Sequence, residues 1–240
     1  MQEVRLPQKL EIKMQQFLQG LIDTYAEDLV SVSLYGSGAS GEFVERYSNL
    51  NLLVVLKNSD LENLKKSSCL TRRSRIINPL FLTEGYINSS TDIFPIEFLD
   101  MQENYRLLYG KDVLSGLHIS TENLRFQCEQ ELKAKLISLR QSYLRIYKNK
   151  ALLAALLFKS FNSILHILRN VLRLKGKIVV YQKQEILKEV SAQFGIKCDV
   201  FERIRQAKLK QIRLKGGEAE ALFIDFIMVL EKIVDIVDKL

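Results

Sequence analysis

The sequence predicts an α+β fold in two parts: a small mixed sheet with helices over residues 1–115, then an all-helical bundle over residues 116–240. Three observations carry that reading. Short apolar runs with strand character mix with helical segments up to about residue 115, and helical period alone governs the remainder. The charge divides at the same place, with 12 Lys/Arg against 15 Asp/Glu in the first part and 23 against 13 in the second. Net charges of −3 and +10 mark two domains, the second of them facing something anionic.

Composition narrows the class. Hydrophobic residues make up 47% of the chain and charged residues 26%, so enough apolar surface is available to offset the entropy of ordering. Cys69, Cys128 and Cys198 are far apart and odd in number, and only two histidines accompany them. That excludes a disulfide framework and a zinc or histidine-rich centre, and makes a reducing cytoplasm the expected setting. No basic-then-apolar leader opens the sequence. The most apolar stretch, residues 151–174, is interrupted by Lys159, His166 and Arg169, so it reads as a buried helix and no membrane partner is expected.

The elements follow in order. Leu10, Met14, Phe17, Leu18, Leu21, Ile22 and Tyr25 recur at helical spacing and predict a helix over residues 8–27. Residues 29–35 alternate as a half-buried strand does, and a glycine-serine loop, Gly36 to Gly41, follows. Residues 49–57 are nearly all apolar after a polar opening, as in a strand deep within a sheet. A helix is expected within residues 60–77, ended by Pro79 ahead of the run Leu80-Phe81-Leu82. Phe94 to Asp100 reads as a third strand, with Pro95 near its start or on an edge.

Beyond Gly116 the period is helical throughout. Ser120 or Thr121 with Glu122 offers a start for a long helix marked by Cys128, Leu132, Leu136, Leu139, Tyr143 and Tyr147. Further helices are expected over residues 151–174 and 182–194, and after Gly217. Asp199 with Glu202 resembles a capping box opening another. Arg203, Arg205, Lys208, Lys210, Arg213 and Lys215 form the densest basic run, without an acid among them, read either as a solvated helix face or as a phosphate-facing patch. Nucleic acid is a weaker form of the second reading, since no reader motif accompanies the run.

Gly36-Ser-Gly38-Ala-Ser-Gly41 matches G-x-G-x-x-G after a strand, and Asp60 lies near the distance of a ribose-binding acid in a dinucleotide fold. The spacing opposes that alternative. Only seven residues separate Gly41 from Asn49, and a parallel crossover needs about a dozen.

A second reading fits the spacing. Leu34-Tyr35-Gly36-Ser37, a short loop, then Ser48-Asn49-Leu50-Asn51-Leu52-Leu53-Val54-Val55 resembles the nucleotidyltransferase superfamily of the DNA polymerase beta type. Its pattern is a hydrophobic strand, Gly-Ser, about ten residues, then Asp-x-Asp on the next strand. The helical half is similar to the C-terminal domain of kanamycin-nucleotidyltransferase-like proteins. The resemblance implies that Gly36 and Ser37 meet the phosphates of a nucleoside triphosphate or another phosphate-bearing small molecule, and Ser40 on the same loop is expected to join them. In the family two aspartates hold Mg²⁺ across those phosphates and align an acceptor hydroxyl for attack on the α-phosphorus. The opposite net charges of the two halves, −3 and +10, add the expectation that cations of the second half face the turn across an interdomain cleft.

Here Asn49 and Asn51 occupy both aspartate positions, and the family's third carboxylate, on a later strand, is left to Glu97 or Asp100, which strand alternation puts on opposite faces, with Glu97 the choice on position in the motif. An asparagine offers a metal a neutral carbonyl oxygen and no charge, so Mg²⁺ binding is expected to be weak or absent. The leading expectation is a nucleotide-binding protein with lost or weakened catalysis, a pseudoenzyme candidate. The alternatives are an active Mg²⁺-dependent transferase moving a nucleotidyl group from a triphosphate to an acceptor hydroxyl, and a structural relic whose loop persists because the turn needs glycine. A homodimer is compatible with either. His166 reads as a core or interface histidine, and Cys128 as packing.

Overall fold

A computed structural model describes residues 6–41, 43, 49–176, 182–215 and 217–240. The chain divides into two units, Met1–Ser120 and Thr121–Leu240. In the first, helix α1 (Gln8–Tyr25) buries Leu10, Met14, Phe17, Leu18, Leu21 and Tyr25 along one stripe. Strands β1 (Leu29–Tyr35) and β2 (Leu50–Leu56) pair antiparallel, with the one-turn helix α2 (Ser37–Ser40) in the connection. Two short helices, α3 (Leu61–Lys65) and α4 (Ser68–Arg73), stand where one was expected. Strand β3 (Ile77–Leu82) runs parallel to β2, helices α5 (Glu84–Ser90) and α6 (Pro95–Glu103) follow, and β4 (Tyr105–Gly110) pairs antiparallel with β1. The result is a mixed sheet of four strands in the order β3-β2-β1-β4.

Alternation sorts β2 between two cores. Leu50, Leu52, Val54 and Leu56 pack with Met14, Phe17 and Leu21 of α1, while Leu53 and Val55 meet Ile87, Phe98 and Met101 of α5 and α6. Cover on both faces explains why this strand is apolar almost throughout. Pro79 is accommodated because β3 is an edge strand, paired on one side only. Gly110 closes β4 at φ +74°, and a Cβ there would stand 2.1 Å from the Val30 carbonyl oxygen.

The strand expected over Phe94 to Asp100 is a helix. Pro95 takes the first helical position, where its missing N–H costs least, and Pro95, Phe98 and Met101 lie buried three residues apart. Over seven residues a two-residue period and a helical period share apolar positions, and only the helical one extends to Met101.

The second unit comprises α7 (Thr121–Ile146), α8 (Lys150–Leu174), α9 (Lys183–Phe194), α10 (Asp199–Lys208) and α11 (Glu218–Val237). Helix α8 is long and apolar enough by composition to cross a membrane, and here it packs against all four others. Asn149 caps it by accepting from the Leu152 amide at 3.1 Å. Phe161, Phe201 and Phe226 join α8, α10 and α11 with ring centroids 6.5 and 5.4 Å apart. Cys128 is fully buried on the inner stripe of α7.

Two local expectations change. His166 does not join the core: it is exposed, on the outer stripe of α8 with Ala155, Lys159 and Asn162, because it falls half a turn from the buried positions, which leaves only the interface half of its reading. Asp199 is inside α10 and does not cap it; Cys198 precedes the helix without a side-chain cap bond, and Glu202 turns to Arg205 at 2.8 and 2.6 Å.

Candidate functional site

The strand register assembles one polar row across the whole sheet. Tyr35 stands opposite Asn51 on one side and Tyr105 on the other, and Asn51 stands beside Asn78 of β3. Asn78, Asn51, Tyr35 and Tyr105 thus cross all four strands at the end where β1 enters the glycine turn. Paired residues share a face, and this face is the one that carries Leu53, Val55 and the α6 contacts.

Within the row the Asn78 Nδ2 donates to Asn51 Oδ1 at 3.4 Å. Asn49 lies two residues ahead of Asn51, exposed at the mouth of β2. Burial holds the Tyr35 hydroxyl above its ordinary pKa. Tyr105 is pushed up to about 12, first by burial and then by its hydrogen bond to Asp112, whose two oxygens accept it at 2.9 and 2.7 Å. Behind Tyr35 on β1, the Ser31 and Ser33 hydroxyls are buried without a hydrogen-bond partner among the described residues.

The turn stands directly over this row. Gly36 adopts φ +71° and ψ −146°, a conformation open in practice to glycine alone, and a Cβ on it would come within 3.2 Å of Asn51 Nδ2. Its carbonyl accepts the amides of Ala39 at 2.9 Å and Ser40 at 3.0 Å, which closes the single turn of α2. Gly38 is buried against Leu34 and Leu50, so the turn is seated on both strands. Ser37 and Ser40 remain half-exposed on it.

Of the residues singled out by sequence, Gly36, Ser37, Ser40, Asn49 and Asn51 gather at one end of the sheet, and Glu97 does not take the place expected of it. It stands exposed on α6, because its segment is helical. The strand position beside Asn51 belongs to Asn78, which sequence reasoning missed. Its only signal was a polar residue between Ile77 and Pro79, and parallel pairing at a separation of 27 residues is invisible to local period.

Asp60 is excluded from the turn. Antiparallel pairing puts the far end of β2, and Asp60 beyond it, at the opposite end of the strands, about 20 Å away for a strand of this length. There it caps α3, and hydrogen bonds from the Asn63 amide and Asn58 hold its carboxyl below the usual range. The same pairing removes the dinucleotide reading, which requires a parallel crossover after the glycine loop.

The basic run of the second unit does not form one face. Arg205 is engaged by Glu202. Lys208 reaches the Phe158 carbonyl at 3.3 Å, and burial, with Lys183 nearby, lowers its ammonium pKa. Lys210 and Arg213 join Lys150 around a pocket of about 450 Å³ floored by Phe158 and Leu214. Among the described residues no group of three His, Cys, Asp or Glu side chains is placed to hold a metal ion.

No protein-family model matches the chain, and no curated protein matches its sequence. Among solved structures, the chain is similar to a spectinomycin adenyltransferase from Enterococcus faecialis, crystallised with ATP and spectinomycin. The likeness has a TM-score of 0.59 at 14% identity and covers 92% of this chain and 99% of that one. The fold is that of the nucleotidyltransferases. On this fold the short strand–turn–strand unit and the trailing helices occur in the order that the resemblance implied, and the later strand beside β2 is β3 rather than the Phe94 to Asp100 segment expected.

Proposed function

We propose that the chain binds a nucleoside triphosphate, or another phosphate-bearing small molecule, at the Gly36–Ser40 turn, with metal-dependent nucleotidyl transfer lost or weakened. The observation that carries this reading is the amide pair of Asn51 and Asn78 beneath Gly36, at 3.4 Å. The solved neighbour holds ATP on the same fold, which supports a nucleotide as the ligand.

The donor chemistry decides the second clause. Magnesium surrenders its water reluctantly and is held by carboxylates together with substrate phosphates. Asn49, Asn51 and Asn78 present neutral amides at the mouth of β2 and on the neighbouring strand, and the Asn51 carbonyl oxygen already accepts from Asn78 Nδ2. Such a set does not fit a pair of magnesium ions. What it leaves is a turn whose glycine lets backbone approach a phosphate and whose serine hydroxyls donate to charged oxygens.

Calorimetry with ATP, with and without Mg²⁺, tests the reading. Binding is expected, with little dependence on the metal and no release of pyrophosphate. Ser37→Ala should weaken it by about 1–3 kcal/mol, since a hydrogen bond to a charged group is lost. Asp60→Ala should leave it unchanged. Asn49→Asp with Asn51→Asp should raise Mg²⁺ affinity, and adding Asn78→Asp should raise it further. Tight two-ion binding and turnover by the wild-type chain would instead establish an active transferase.

A further inference from the structure

The helical unit holds a concavity that its own side chains leave open. Ala151 and Ala154 of α8, Ala207 of α10 and Ala219 of α11 converge on it, and four methyl side chains where three helices meet leave about 450 Å³. Phe158 and Leu214 supply an apolar floor, with the exposed cations Lys150, Lys210 and Arg213 around it. An adjoining pocket of about 490 Å³ shares Lys150 and Ala151 and adds Arg145, Tyr147 and Lys148. No aspartate or glutamate lines either one.

A single unpaired cation on a surface needs no explanation. Five around two joined concavities repel one another, and an anion in the concavity relieves that repulsion. Elsewhere in the unit Arg125, Lys133, Arg140 and Arg205 stand against carboxylates. Beside Ala219, the two acids in the first turn of α11 are committed to other partners. Glu218 accepts the Lys215 amide at 2.7 Å, and Glu220 accepts the Tyr143 hydroxyl at 2.7 Å. Helix α8 also begins here, and the first amides of a helix have no partner within it. Asn149 takes that of Leu152, and the two before it belong to Lys150 and Ala151, which line both pockets.

We propose that this pocket binds a small organic phosphate, its charged group held by Lys150, Lys210 and Arg213 and its apolar body laid on Phe158 and Leu214. The volume is that of a small-molecule site. A phosphate monoester carries nearly two charges and three acceptor oxygens, which three cations match better than the single charge of a carboxylate. The floor distinguishes the ligand from a bare ion, because burying an apolar body there adds affinity that inorganic phosphate lacks. Every residue of the site belongs to the second unit, so it stands independently of the Gly36–Ser40 turn.

Calorimetry on the full chain at about 0.15 M salt, where loose surface attraction is screened, tests the site with 1-naphthyl phosphate as the probe. The probe should bind at least about tenfold more tightly than inorganic phosphate, the gain from taking about 60 Å² of ring out of water. 1-Naphthol, which lacks the charge, should also bind more weakly than the probe. Lys210→Gln with Arg213→Gln changes two exposed side chains and should weaken the probe about tenfold or more. Ala151→Trp keeps every charge, fills the concavity and should weaken it as well, with an unchanged circular dichroism spectrum. Ser37→Ala should leave probe binding as it is. Absent binding, equal affinity for the probe and inorganic phosphate, binding that survives both pocket variants, or binding weakened by Ser37→Ala instead of them overturns the proposal.

Discussion

The two units leave their interactions legible in local sequence to different degrees. In the helical unit part of the network repeats within single helices, Arg205 reaching Glu202 three residues away and Lys133 and Arg125 reaching Glu129 four away, beside the long-range pairs Arg140–Glu231 and Lys133–Asp238. In the sheet unit, the row Asn78-Asn51-Tyr35-Tyr105 draws one residue from each of four strands spread over 71 positions, from 35 to 105. The difference shows what each architecture stores in local sequence. A helix advertises its neighbours at three and four residues, whereas a sheet sets them by register, which depends on the turn and on which faces are buried.

The contrast breaks first at the backbone of the sheet. Gly110→Ala would force a Cβ to within 2.1 Å of the Val30 carbonyl oxygen at a positive φ, so strand β4 must shift off β1. A loss of about 4 kcal/mol or more is expected by urea denaturation, in the range reserved for strain or broken networks. A loss below about 1 kcal/mol would show that register in this sheet is softer than its pairing implies.

In the helical unit the largest cost should come from side-chain packing. Phe201 is fully buried between Phe161 and Phe226, and Phe201→Ala should cost about 3–5 kcal/mol, read by the same titration.

Tyr105 gives the sheet unit a pH dependence. Its folded pKa of about 12 lies above the ordinary 10.0, so the folded state holds the proton more tightly than the unfolded chain does. The contribution is fully present below pH 10 and is lost as pH rises toward 12. Thermal midpoints should fall more steeply across that window in the wild type than in Tyr105→Phe.

The smallest effects separate a real cap from an apparent one. Asn149→Ala removes the acceptor of the Leu152 amide and should cost about 1 kcal/mol. Asp199→Ala removes no cap bond and should change stability by less than about 0.5 kcal/mol, although its sequence context resembles a capping box more closely.

Local sequence was sufficient wherever one face and one period decided the outcome. Helix α1, strands β1 and β2, and the long helices α7, α8 and α11 lie where spacing put them, because burying a stripe requires apolar residues at that spacing whatever the partner is. The short strand–turn–strand unit around Gly36 was legible as well, since only glycine tolerates φ +71° there and seven residues leave no room for a parallel crossover. The tertiary structure alone decided that Phe94 to Asp100 is helical, that His166 faces outward, and that Asn78 rather than Glu97 stands beside Asn51. Each of those depends on what packs against a segment from elsewhere in the chain. A seven-residue run fits two periods until a core selects one, and a residue's cross-strand neighbour is set by a register that no window of sequence contains.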